Sequence, residues 1–168
     1  VNKQEIANNP EAKQAVVDEW ARLRSINTWN ENLVEEARDV MARHRRTKGV
    51  TMHICRVFNF VVEKNAELPA GDKRKKFKAR TVFQGNNVHD EHWEIAMFQD
   101  LSSSPATMPA SKAADLYGLL EGHDIQQADA VQAYTQCTLD SKVETWIRLP
   151  KDQWPPHWQG MTDPVCPL

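Results

Sequence analysis

Apolar residues recur at helical spacing in two stretches near the start of the chain. Between Pro10 and Ile26, the positions Ala12, Ala15, Val16, Trp20 and Leu23 fall on one side of a 3.6-residue wheel. Asn9 offers a capping oxygen, and Pro10 has the fixed φ that suits a first helical turn. A second helix is predicted from about Glu31 to His44, with Leu33, Val34, Ala37, Val40 and Met41 on its apolar side. It runs into RHRRTKG, where the cations suit a C-terminal dipole and Gly49 suits the stop.

From Val50 to Val62 the pattern changes. The run VTMHICRVFNFVV is rich in β-branched and aromatic residues and predicts a strand. AELPAGDKRKK then reads as a loop punctuated by Pro69 and Gly71, and a second strand follows from Phe77 to Gln84. The two strands make a hairpin. GNNVHDEHWEIAMFQDLSSSPATMPAS is loop-rich, and a short helix from Lys112 to Leu120 is closed by Gly122. Two more strands are predicted, from Asp124 to Asp129 and from Val143 to Leu149. The Pro- and Trp-rich end, PKDQWPPHWQGMTDPVCPL, is expected to pack as an irregular arm, and residues 1–11 to form a polar leading segment.

A length of 168 residues suits one domain, or one and a fragment, with a sizeable core. The net charge of −2 makes no overall case for a polyanionic partner, so local clustering has to carry one. No apolar run approaches the roughly 20 residues of a membrane span, and no membrane partner is expected. Cys55, Cys137 and Cys166 are far apart without a CxxC, which points to reduced thiols in an intracellular protein, cytoplasmic or nuclear. The Val at the start and the DPVCPL ending suit a piece of a longer polypeptide.

The clearest local cluster is basic. Lys73, Arg74, Lys75, Lys76, Lys78 and Arg80 put six cations into eight positions. Strand alternation would set Lys76, Lys78 and Arg80 on one face and Phe77, Ala79 and Thr81 on the other. One side can then pack while the opposite side offers cations to phosphates, with Arg suited to a bidentate contact and Lys acting as a point charge. The same run also suits a solvated hairpin tip or a nuclear-localisation-like patch. Asp129, ending its strand candidate, can reach a bound cation such as magnesium, or serve only as a surface or capping residue. His89 and His92 in HDEH would pair on one face if helical, but no second ligand pair stands nearby.

KARTVFQG (78–85), QADAVQAY (127–134) and VETWIRLP (143–150) occur in the order and near the spacing seen in one known family. The chain resembles the reverse transcriptase domain of copia-type LTR retrotransposon Pol polyproteins. That family has a KARLVARG-like strand, a Q-x-D-V-x-x-A-F segment and a strand ending in Pro. AVVDEWARLRSINTW is similar to its leading helix, and ICRVFNFVVEK to the strand before the basic one.

The resemblance implies an α+β fold: the fingers and early palm of a polymerase, with two N-terminal helices, an antiparallel hairpin and palm strands. The domain, 12–168, would be incomplete. Asp129 matches the first catalytic, metal-binding aspartate, and the Ala130 carbonyl the neighbouring ligand for Mg2+ in the intact enzyme. Tyr134 matches the aromatic beneath the incoming sugar. Lys78 and Arg80 match the cations gripping the triphosphate, Gly85 matches a family glycine, and Lys73, Arg74, Lys75 and Lys76 would meet nucleic acid. Implied partners are RNA or DNA template-primer, dNTPs and the rest of the Pol polyprotein. The chain has no Asp-Asp pair for a Y-x-D-D turn, so it is expected to be inactive alone. A decayed or repurposed remnant, acting as a non-catalytic nucleic-acid-binding or structural module, is the alternative.

Overall fold

The computed structural model describes residues 1–47, 49, 51–96, 106–131, 133–139 and 141–168, with the backbone alone at Tyr134. The polar leading segment is helical. In α1 (Lys3–Asn8) the Asn2 side chain accepts from the Glu5 amide at 2.8 Å, and the Glu5 carboxylate accepts from the Asn2 amide at 2.7 Å. This reciprocal pair satisfies two amides that a helix start leaves open. Asn9 then leaves helical geometry and caps α2 (Pro10–Ser25), accepting from Glu11 and Ala12 at 2.9 and 3.1 Å. Ala12, Trp20 and Leu23 are buried as their spacing predicts.

The second predicted helix starts late. A 3₁₀ turn at Glu31–Leu33 is followed by extended chain in β1 (Glu35–Glu36), and only then by α3 (Ala37–Arg46). The cause is tertiary. Glu35 and Glu36 pair with Val165 and Pro164, and the Glu36 carboxylate accepts from the Thr162 and Asp163 amides at 2.8 and 2.9 Å. Those long-range bonds outweigh a weak local helical preference, and Leu33 is left exposed.

The hairpin forms as expected. β2 (Met52–Lys64) and β3 (Lys76–Phe83) are antiparallel, in register from Val57 opposite Phe83 to Lys64 opposite Lys76. Val50, the first residue of the predicted strand, lies outside the described residues. β4 (Glu144–Arg148) lies parallel to β2, and β5 (Pro164–Pro167) runs antiparallel to β4. The sheet order is β1-β5-β4-β2-β3, mixed and open, and with four helices among the described residues the fold is α+β. The C-terminal arm thus corrects its expectation: it ends in a sheet strand, because Trp146 and Ile147 supply ladder partners at Pro167 and Cys166.

Side-chain alternation assigns the two sheet faces. Val57, Ile147, Leu149 and Cys166 meet Trp20, Leu23, Trp29 and Trp158 on the α2 side, and Val61 and Ala79 meet Ala12 further along. Met52, Ile54, Trp146 and Val165 point the other way, against Ala37 and Val40 of α3. The short α3 therefore covers only the end of that second face where β2 begins.

By contact the chain divides into two units, residues 1–96 with 139–168, and residues 97–138. The first holds the whole sheet. In the second, α4 (Met108–Gly118) starts four residues before its prediction, because Thr107 caps it and Pro109 sits in its first turn. A Cβ on Gly118 would collide with the Ile125 side chain, which would have to shift to admit it. The predicted strand from Asp124 to Asp129 does not form; residues 123–130 have no regular structure. Ile125 is its one large apolar residue, too little to hold a strand against a core. Residues 97–105 of the loop-rich stretch lie outside the described residues. No described helix is long and apolar enough to cross a membrane.

Candidate nucleic-acid interface

The cationic face of β3 follows from its packing. Ala79 is buried beside Ala12 and Val61, and Phe77 packs on the same cluster. The Thr81 amide, on the outer edge of the sheet, donates to the Glu19 carboxylate of α2 at 3.3 Å. With that side occupied, Lys76, Lys78 and Arg80 are turned to the opposite face, as alternation predicts. Lys76 and Arg80 are exposed and have no ion-pair partner among the described residues.

The loop cations behave differently. Arg74 clasps Asp72 through Nε and Nη2 at 3.0 and 2.7 Å, and the guanidinium holds the Asp72 carboxyl below its ordinary value. Lys75 pairs with Glu63 at 3.1 Å. Both are committed to holding the hairpin tip, so the strand face is the better candidate for phosphate. Lys73 stands in the turn beside them.

Asp129 and Ala130 lie in the second unit, in the irregular stretch, and both are exposed. Tyr134 is within a 3₁₀ turn, Ala133–Thr135, and its side chain lies outside the described residues. No group of three or more His, Cys, Asp or Glu is placed to hold a metal among the described residues. HDEH is not helical. His89 bridges Ile54 and Ile95, and Asp90 accepts from the His92 and Glu94 amides at 2.8 and 2.9 Å in a tight turn. Trp93 takes a φ of 67° in that turn, an uncommon state for a bulky residue. His89 stacks on its ring at 4.3 Å, and the Arg148 guanidinium lies 4.8 Å from its centroid. Arg148 itself forms a bidentate pair with Asp163 at 2.7 and 2.8 Å.

Two open clefts, of about 630 and 610 Å³, flank the Asn32–Leu33 turn, and none of the predicted site residues lines either.

Sequence reasoning passed over Phe58 and Phe60. They belong to the α3 side of β2 but lie beyond α3, 43 and 41 % exposed, and Val62 follows at 41 %. One signal was available: the two rings are bracketed on their row by charges, Arg56 and Lys64, whereas the opposite row carries the buried Val57 and Val61. No family model, no curated protein and no solved structure matches the chain.

The three thiols are free, with Cys137 exposed and the other two buried. Burial pushes Cys55 from an ordinary 9.0 up to about 11, and Cys166 up to about 12. The folded chain therefore keeps protons that the unfolded chain releases near the ordinary value, and stability falls as pH rises through about 9 toward 11. Urea unfolding across that window is expected to show the decline, and Cys166→Ala to flatten part of it. An alkylating reagent is expected to modify Cys137 in the folded protein and spare Cys55 and Cys166.

Proposed function

We propose that the chain is the fingers and early palm of an RNA-directed DNA polymerase of the copia-type retrotransposon kind, working within a longer Pol polyprotein. The intact enzyme would add dNTPs to a primer by two-metal phosphoryl transfer. This chain would contribute the grip on polyanion and would not polymerise by itself. The observation that supports the reading is the β3 ribbon, whose packed side fixes Lys76, Lys78 and Arg80 in one row. Phosphate contacts of this kind set position and affinity without reading sequence.

The resemblance supplies the remaining roles: Asp129 and the Ala130 carbonyl for magnesium, Tyr134 beneath the sugar, and Lys78 and Arg80 at the triphosphate. One carboxylate and one carbonyl would anchor a single magnesium ion whose remaining positions are filled by waters and phosphate oxygens, and they leave nothing to hold a second. The residues present do not make a two-metal site, so no step is routed through one.

A second reading, a repurposed remnant that binds nucleic acid without catalysis, is favoured by the irregular, exposed setting of Asp129. Both readings share the ribbon and part at the aspartate. A labelled primer–template is expected to bind the purified chain at low salt, with no magnesium-dependent extension. Extension would overturn the inactivity, and failure to bind any nucleic acid would overturn both readings. Loss of magnesium-dependent dNTP binding in Asp129→Ala would support the polymerase reading; no change would support the remnant.

A further inference from the structure

The open half of the sheet joins two features that phosphate binding alone does not need together. In register, Phe60 lies opposite Arg80, Val62 opposite Lys78, and Phe58 opposite Val82, one row on from Arg80. Phe58 and Phe60 are both more than two-fifths exposed although each sits in the middle of a 13-residue strand. The cations therefore border an aromatic strip, and they do so on a surface whose reverse side is packed against α2.

We propose that this face binds single-stranded nucleic acid, with bases stacked on Phe58 and Phe60 and the phosphates running along Lys78 and Arg80. Charge and shape choose the occupant. A polyanion complements the β3 row, and flat π-faces complement the β2 row. Single-stranded nucleic acid presents both, at regular spacing along one chain. Two rings on one strand face stand about 6.8 Å apart, twice the roughly 3.4 Å rise of stacked bases. Bases resting on both rings are therefore parted from each other, which costs a duplex its stacking and a single strand much less. The inference rests on the second reading above, in which Lys78 and Arg80 meet a strand rather than a triphosphate, and adds to it the strand state and the contact residues.

The test uses the full chain and fluorescence anisotropy with three probes: an oligodeoxythymidine strand, a blunt duplex, and an abasic strand of equal length and charge. The single strand is expected to bind more tightly than either other probe. Replacing both rings, Phe58→Ala with Phe60→Ala, is expected to weaken single-strand binding about tenfold or more while leaving the abasic strand and the salt slope unchanged. Phe60→Tyr should keep the affinity. Should the double variant misfold by circular dichroism, Phe58→Thr and Phe60→Thr singly put a strand-favouring residue at each position and read the same effect. Unchanged single-strand affinity in folded variants, or a duplex bound as tightly as the strand, overturns the stacking inference alone. Absence of binding to all three probes overturns the nucleic-acid reading and the inference with it.

Discussion

Neutralising Lys76, Lys78 and Arg80 together to Gln is expected to weaken nucleic-acid binding about a hundredfold near 0.1 M salt. Each cation that meets a phosphate releases roughly 0.7 of a counterion from a single strand, so three contribute a power of about 2 in salt concentration. The slope of log affinity against log salt should accordingly flatten by about 2. Reversal to Glu adds repulsion and should abolish measurable binding. Arg74→Gln is the internal control: its guanidinium is already engaged by Asp72, so its loss should shift affinity far less.

A competing physical role exists for the same residues. β3 is the last strand of the sheet, and cations on an edge strand discourage pairing with another chain. If that were their whole purpose, the Gln variant would associate with itself and bind nucleic acid as before. Size-exclusion chromatography beside the binding isotherm separates the roles, since self-association and lost affinity are independent readouts. Unchanged affinity with a flat salt response in the unaltered protein would remove the ribbon from any functional account.

The elements readable from the sequence were those whose own residues bury a face. α2 followed from the spacing of Ala12, Trp20 and Leu23, and the hairpin from β-branched runs around a Pro and Gly loop. What the sequence hid was decided at a distance. Glu35 and Glu36 look helical until the Thr162 and Asp163 amides claim the Glu36 carboxylate. The parallel pairing of β2 with β4 brings together residues about ninety positions apart, and no local pattern announces it. The candidate site divides in the same way. Strand period 2 was enough to place Lys76, Lys78 and Arg80 on one face. The openness of the Phe58 and Phe60 row depends on where the short α3 stops, which is a packing outcome. Asp129 was picked out both by the resemblance and as a strand end; the strand does not form, since a run with one large apolar residue has nothing to bury.

Trp158→Ala is expected to destabilise the chain by about 3–5 kcal/mol, a large share of the roughly 5–15 kcal/mol that holds a typical domain folded. Trp158 is fully buried among Trp20, Leu23, Trp29 and Ile147, and its indole N–H donates to the Glu31 carbonyl at 3.1 Å. His157 also approaches that carbonyl, at 3.2 Å, so the principal loss is the cavity rather than an orphaned acceptor. Trp158→Phe should cost less, because it keeps a ring in the space. Leu33→Ala, on an exposed side chain of the neighbouring turn, should stay within about 0.5 kcal/mol. The effect should reach the binding face, because the cluster around Trp158 includes Val57, immediately before Phe58 on β2. Urea unfolding provides the energies, and single-strand binding in mild denaturant shows whether the ribbon loosens with the cluster. A loss below about 1 kcal/mol for Trp158→Ala would mean that the Trp-rich arm is attached loosely. The sheet would then have to stand without β5, and the packing on which the stacking face depends would need another source.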